Sequence, residues 1–316
     1  MERAEAFSRS TGGRVRPLQI DTADPRALGD ALANAQVLVA CAGRDDVDLA
    51  RACLERGVRY VNVSASYPFL PEVERLHALA RERGATAVPS VGLAPGLTNL
   101  LARRCRDALG GVRSLDLSVL LGMEEAHGEA AVRWTIENLD RRFPAPGPNG
   151  PQDFNSLTDP KATVFPGPYG RRIAYRFDFA DQHVVSRTLE IGDVAPRICL
   201  DPPLATRLVA LLKRTGAFRT LARPGTQDAL VSLLNCLHVG ADGFAATADA
   251  MGRNGRCHSC SVGGRRERRA TGIVAALVPE DLCAASSAPV VFHIEQIVEP
   301  IAFLRRLANH GFSVCA

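Results

Sequence analysis

Between residues 15 and 91 the chain repeats one unit, a short apolar segment followed by a stretch with helical end signals. The apolar segments are 15–20, 36–41, 58–63 and 85–91. Asp24-Pro25 opens the first intervening helix, because an aspartate N-cap accepts from a free N–H and proline at the next position has none to leave unsatisfied. Asp45-Asp46-Val47-Asp48 then places negative charge at a second helix start, and Gly57 ends that helix in the left-handed conformation glycine tolerates. A third helix runs over 70–83 to Gly84. Parallel strands cannot be joined by a tight hairpin, so strands alternating with helices predict a parallel sheet. The first part of the chain is therefore expected to be a Rossmann-type α/β domain of doubly wound topology. Direct pairing of 15–20 with 36–41 is expected within it, because an unpaired buried edge leaves backbone groups unsatisfied.

Beyond Gly110 the rhythm changes. A strand over 114–121 precedes a helix over 129–139 that carries the only tryptophan, Trp134. Residues 143–160 are rich in Pro, Gly and Asn and read as a long loop, either a lid or an excursion. Ile173, Tyr175, Phe177 and Phe179 alternate with Ala174, Arg176 and Asp178, the period of a half-buried antiparallel strand. Helices are expected over 202–215 and 226–238. Asn254-Gly255 is a strong hairpin signal joining 244–253 to 256–262. These features predict an α+β substrate domain on an antiparallel sheet, with a homodimer through that sheet as one expectation. The resulting division is 1–112, 113–270 and 271–316, the last segment returning to the first domain.

Composition narrows the function. With 46% hydrophobic residues over 316 positions, the chain has material for two cores. No apolar run reaches the roughly 18 residues that span a bilayer, and the N-terminus lacks the basic-then-apolar order of a signal peptide. The reading is a cytoplasmic protein with no membrane partner. Nine cysteines, mostly in apolar runs, read as reduced buried thiols. A charge of +4 is too small to argue for nucleic acid, and Arg265-Arg266-Glu267-Arg268-Arg269 lacks the interleaved aromatics of a nucleic-acid surface. Cys257-His258-Ser259-Cys260 looks like a metal knuckle, yet on a strand thiols three apart point to opposite faces, so no metal is expected.

The loop around Gly92 is the most specific candidate site. Pro95-Gly96 allows close approach of backbone to a ligand, and the helix that follows offers free N–H groups at the carboxyl edge of the sheet, where open α/β sheets bind ligands. The same residues also suit a plain strand-to-helix turn, and both readings stand open. Ala42, Gly43, Leu93, Pro95, Gly96 and Thr98 are expected to line one cleft, with His127 or Trp134 closing it. His127 suits a general acid or an ordinary helix-start contact. Asp21 suits the adenosine side of a cofactor, whereas Asp24 is explained as a cap. Asp181-Gln182-His183 is equally explained by turn chemistry.

Several segments together resemble the saccharopine dehydrogenase-like oxidoreductases. They are Asp21 to Asp24, Val37 to Gly43, Gly57-Val58-Arg59-Tyr60-Val61-Asn62-Val63-Ser64, and most specifically Val91-Gly92-Leu93-Ala94-Pro95-Gly96-Leu97-Thr98-Asn99. The likeness continues through Glu125-Ala126-His127-Gly128, Phe177-Asp178-Phe179, Asp181-Gln182-His183, Ala270-Thr271-Gly272 and His293-Ile294-Glu295-Gln296. The resemblance implies an enzyme that uses NADP or NAD on a C–N bond of an amino-acid or polyamine-type conjugate, with an enoyl-reducing branch as an alternative. It places Asp21, Ala42, Gly43, Leu93, Pro95 and Gly96 toward the cofactor, Thr98, Asn99 and Trp134 toward a small-molecule substrate, and His127 in a catalytic role. The family opens with a Gly-rich strand-loop-helix, whereas here Met1 falls in what resembles the next helix. The resemblance thus implies an opening βαβ of roughly 30 residues that this sequence lacks. No G-x-G-x-x-G occurs in the sequence, Asn62 stands where Asp is usual, and Arg44 stands where Pro is common. Impaired cofactor binding is therefore expected, and a cofactor-free homologue that binds a small molecule or a protein is the alternative of a different class.

Overall fold

The computed structural model describes residues 2–41, 45–124, 129–147, 150–216, 239–284 and 288–316. Helix α1 (Glu2–Ser10) precedes α2 (Pro25–Leu32), which begins as the sequence predicts: the Asp24 carboxylate accepts from the Arg26 N–H at 2.9 Å. Then follow β1 (Val37–Ala40), α3 (Val47–Glu55), β2 (Arg59–Asn62), α4 (Phe69–Glu74), α5 (His77–Arg83) and β3 (Ala87–Val88). The three strands form a parallel sheet in sequence order. Ala87 also pairs in parallel with Val291 from near the C-terminus.

Residues 15–20 do not join that sheet, contrary to the pairing expected with 36–41. Pro17 has no N–H to give a ladder, and Val15 and Leu18 stay 38% and 63% exposed, so pairing would gain little apolar burial. Only Ile20 of this segment packs onto the apolar cluster of α2, α3 and α4.

The second half starts with α6 (Thr98–Leu109), β4 (Val112–Met123), α7 (Glu129–Asn138), β5 (Arg142–Gly147) and β6 (Gly150–Asn155). Strands β7 (Lys161–Phe165) and β8 (Gly170–Arg176) lead to α8 (Asp181–Thr188), β9 (Asp193–Asp201) and α9 (Pro203–Arg214). After the helix expected over 226–238, which lies outside the described residues, come β10 (Val239–Gly252) and β11 (Cys257–Arg265). The chain ends with α10 (Glu267–Ala284), α11 (Ile294–Ile297), α12 (Pro300–Asn309) and β12 (Ser313–Cys315).

Seven of these strands form a sheet in the order β12-β11-β10-β4-β9-β8-β7. It is mixed and not purely antiparallel: β4 and β9 run parallel, because four strands and two helices intervene before the chain returns beside β4. The segment expected as a loop over 143–160 contains the β5–β6 hairpin, in which Phe143 faces Phe154. The Asn254-Gly255 hairpin forms as expected, with Gly255 at φ +79° joining β10 to β11. Cys257 is exposed and Cys260 buried, on opposite faces of β11. The C-terminal segment divides between the sheets, since Val291 borders β3 whereas β12 pairs with β11.

One apolar core spans both sheets. Val61 and Val88 from the parallel sheet, Leu100 and Leu101 of α6, Leu117 of β4 and Phe244 of β10 belong to the same buried cluster. Helix α6 lies at its centre. Among the described residues no helix is long and apolar enough to cross a membrane.

Gly122 shows how closely β4 and β10 approach. A Cβ there would sit 1.9 Å from the Ala241 carbonyl oxygen, where the ladder shifts register. Gly122→Ala is expected to destabilise the protein by about 1–3 kcal/mol or more through backbone displacement. Gly192→Ala, with nothing within 4 Å of the added carbon, should be nearly neutral when both are measured by chemical denaturation.

Candidate active site at the junction of the two sheets

Two chain segments leave the carboxyl ends of β2 and β3 and lead toward the start of α8. After β2, the buried Asn62 amide donates to the Tyr60 hydroxyl at 2.8 Å and accepts from the Ser64 N–H at 2.5 Å, fixing the path toward Tyr67. After β3, Ser90 adopts φ +62° and its hydroxyl donates to the Ser64 carbonyl at 2.7 Å. A non-glycine residue in that region stores strain unless its surroundings hold it, and this hydrogen bond is part of the hold. The turn over 92–97 then enters α6, with Gly96 at φ +135°.

The first turn of α6 is closed. Thr98 and Asn99 are 0% and 1% exposed. Asn99 donates to the buried Glu295 carboxylate at 2.8 Å, and the Thr188 hydroxyl donates to the other Glu295 oxygen at 2.5 Å. Asn99 also accepts from the Gly96 N–H at 3.4 Å, and the Leu97 N–H is used by the Gly92 carbonyl at 2.9 Å.

Helix α8 opens with the chemistry. The His183 ring stacks on Tyr67 with centroids 3.9 Å apart and planes at 20°. Its Nε2 lies 3.7 Å from the Asp178 carboxylate, which also accepts from Gln182 at 2.8 Å and faces Arg141 at 3.5 Å. Trp134 packs on Phe177 and Phe179, the residues flanking Asp178, with centroid separations of 5.7 and 5.9 Å. Asp181 is wholly buried beside Thr98, and neither of its oxygens has a hydrogen bond of good geometry.

Glu74 ties this region together from the other side. Its carboxylate takes Arg187 at 2.8 and 3.1 Å and lies 2.8 Å from His293 Nε2. The His293 hydrogen bond, with Arg187 behind it, holds the Glu74 carboxyl down to about 2. Asp181 goes the opposite way. Burial pushes its carboxyl up to about 7, the Thr98 hydroxyl opposes the shift, and the negative charges of Glu295 and Asp178 reinforce it.

The sequence-derived candidates fall into three groups. Leu93, Pro95, Gly96, Thr98 and Asn99 come together in the turn into α6, all buried. Trp134 lies on the Phe177–Phe179 side of the cluster, while Asp21 is exposed and accepts from the Ala23 N–H at 2.9 Å in a local turn. Ala42, Gly43 and His127 lie outside the described residues. Tyr67, Asp178, Asp181 and His183 were missed as a site. Their signal was the Asp181-Gln182-His183 run after an alternating strand, which is the first turn of helix α8 and not an isolated turn.

Comparison with known proteins follows the same lines. Residues 1–88 match the saccharopine dehydrogenase NADP binding domain. The solved structure of apo saccharopine dehydrogenase (L-Glu forming) from Saccharomyces cerevisiae superposes with a TM-score of 0.70 at 12% identity, covering 100% of this chain and 92% of that one. The first 88 residues are thus similar to that domain, and the chain shares the fold of that solved structure. Dipicolinate-bound dihydrodipicolinate reductase from a Paenisporosarcina species is far less similar, with a TM-score of 0.38 at 9% identity over 92% of this chain and 84% of that one.

The similarity of residues 1–88 to an NADP binding domain lets the donor set be tested against a dinucleotide. The first turn of α6 spends its polar groups on its own turn and on Glu295. At α3 the Asp46 carboxylate already accepts from the Leu49 N–H at 3.1 Å, with Asp48 in the same turn, so a phosphate there would meet negative charge. Among the described residues these helix ends do not fit a pyrophosphate. The described residues also hold no group of three metal-ligating side chains.

The two perturbed carboxyls make opposite predictions. Glu74 is held below its ordinary value of 4.5, so its stabilisation is present above that value and is lost as pH falls toward about 2. Glu74→Gln should cost on the order of 2 kcal/mol at neutral pH, and the gap to the parent should narrow in urea melts between pH 4.5 and 2. Asp181 is held above its ordinary value of 3.8, so its ionisation opposes folding increasingly up to about pH 7. Asp181→Asn should therefore gain stability relative to the parent as pH rises from 4 to 8, by on the order of 2 kcal/mol. A flat difference across that range would exclude a buried carboxyl of this kind.

Proposed function

We propose that this chain is an oxidoreductase of the saccharopine dehydrogenase-like type, acting at a C–N bond of an amino-acid or polyamine-type conjugate, with low affinity for NADP or NAD. The observation that carries the reading is the Tyr67–His183 stack beside Asp178, at the junction of a parallel sheet with a second, mixed sheet. Making or breaking a C–N bond requires a proton at nitrogen. Imidazole is the side chain best suited to exchange one near neutral pH. Asp178 lies 3.7 Å from His183 Nε2, while Tyr67 stacks on the ring and fixes its plane. Trp134, Phe177 and Phe179 supply an apolar wall that limits water. Low cofactor affinity is supported by the acidic or closed helix ends at α3 and α6.

A second reading rests on those helix ends. If α6 remains closed around Glu295, the chain is a homologue that binds the conjugate and turns nothing over.

Titration of NADPH while following nicotinamide fluorescence is expected to show no saturation in the low-micromolar range, and saturation there would overturn the low-affinity proposal. In parallel, an N-carboxyalkyl amino acid should raise the melting temperature of the parent protein, with affinity reduced about tenfold in His183→Gln for loss of a charge-assisted contact. No response from the parent would sink the substrate assignment. Conjugate binding with no cofactor response even at millimolar concentration would select the second reading.

A further inference from the structure

A cavity of 370 Å³ lies between β8 and the first turns of α9, lined by Arg171, Arg172, Ile173, Cys199, Pro203, Thr206 and Arg207. None of these residues belongs to the junction cluster around His183. The volume falls within the roughly 300–1,000 Å³ of small-molecule sites. Three arginines are among its lining residues, Arg171 and Arg172 consecutive on β8 and Arg207 on α9. Arg172 faces Asp201 at 3.7 Å, yet its buried Nε has no acceptor. Arg171 and Arg207 are exposed and make no ion pair with a described residue. One carboxylate against three guanidiniums leaves the cavity electropositive.

At the start of α9, Pro203 has no N–H and the Ala205 N–H donates to the Pro202 carbonyl at 2.9 Å, so the first turn offers an anion little beyond the Leu204 N–H. Thr206 is turned inward instead: its hydroxyl accepts from the Leu200 N–H at 2.8 Å and so fastens α9 to the end of β9. The arginines consequently sit on two elements whose spacing is fixed, which is what a forked, bidentate contact needs. Leaving like charges together without a counter-charge is unfavourable, and an oxyanion between them removes that repulsion.

We propose that this cavity binds a small oxyanion, a phosphate or carboxylate group, held by Arg171, Arg172 and Arg207 at the start of α9. Ile173 and Pro203 form an apolar side against which a short carbon chain attached to that group would rest. The site stands apart from the proposed conjugate site, and its occupancy does not require that reading to hold.

Isothermal titration of the full chain with inorganic phosphate and, separately, with succinate tests the proposal and identifies the source of the anion. Saturable binding of at least one, weakened about tenfold or more in Arg207→Gln and further in the Arg171→Gln, Arg207→Gln double variant, is expected for charge-assisted contacts. Both arginines are exposed, so the melting temperatures of the variants without anion should match the parent, and the anion-dependent rise seen in the parent should shrink in them. Absence of saturable binding by both anions, or binding unchanged in the double variant, would overturn the assignment.

Discussion

The Glu295 carboxylate is 1% exposed and has no guanidinium or ammonium hydrogen-bonded to it among the described residues. Asn99 and Thr188 hold it instead, one from each of the helices α6 and α8. A buried carboxylate is tolerated only when hydrogen bonds replace its water, so α6, α8 and α11 must keep one relative position for the anion to stay satisfied. Arg103 strengthens the joint by donating to the Glu295 and Val298 carbonyls at 2.7 and 2.9 Å. The turn over 92–97, the stack of His183 on Tyr67 and the central place of α6 in the core all depend on that joint.

The same joint explains why the start of α6 is not open to a ligand. A helix N-terminus attracts anions through free N–H groups and its dipole. Here the anion that arrives is Glu295, brought from 196 residues away and relayed through the Asn99 side chain. What in an open sheet would be a ligand site has become the fastening between the parallel sheet and the mixed one, and the partly buried His183–Asp178 pair lies one helix over, at the start of α8.

Local signals in the sequence were legible where a few neighbouring residues decide the structure. Asp24-Pro25 starts α2, Gly84 ends α5 at φ +65°, and Asn254-Gly255 turns β10 into β11. The parallel sheet itself follows from its strand-helix rhythm. Residues 15–20 misled because an apolar count ignores Pro17, which gives no N–H to a ladder. The β5–β6 hairpin was hidden by Pro144, Pro146 and Pro151, residues that suit turns as readily as an isolated two-strand ribbon. The parallel β4–β9 pair was illegible for a different reason: periodicity reports which face of a strand is buried and says nothing of which strand lies beside it.

The site was legible in pieces and not as a constellation. Asp178, Asp181 and His183 lie within six positions of one another, but Tyr67 comes from the turn between β2 and α4 and gives no sequence sign that it will stack on His183. The difference between Asp181 and Glu74 is equally invisible in one dimension. Both are carboxylates on helices near the junction, yet Glu74 meets Arg187 and His293 while Asp181 meets a hydroxyl and two further carboxylates. The carboxyl without a cation is pushed toward its neutral, proton-bearing form, and the one with cations is locked as an anion.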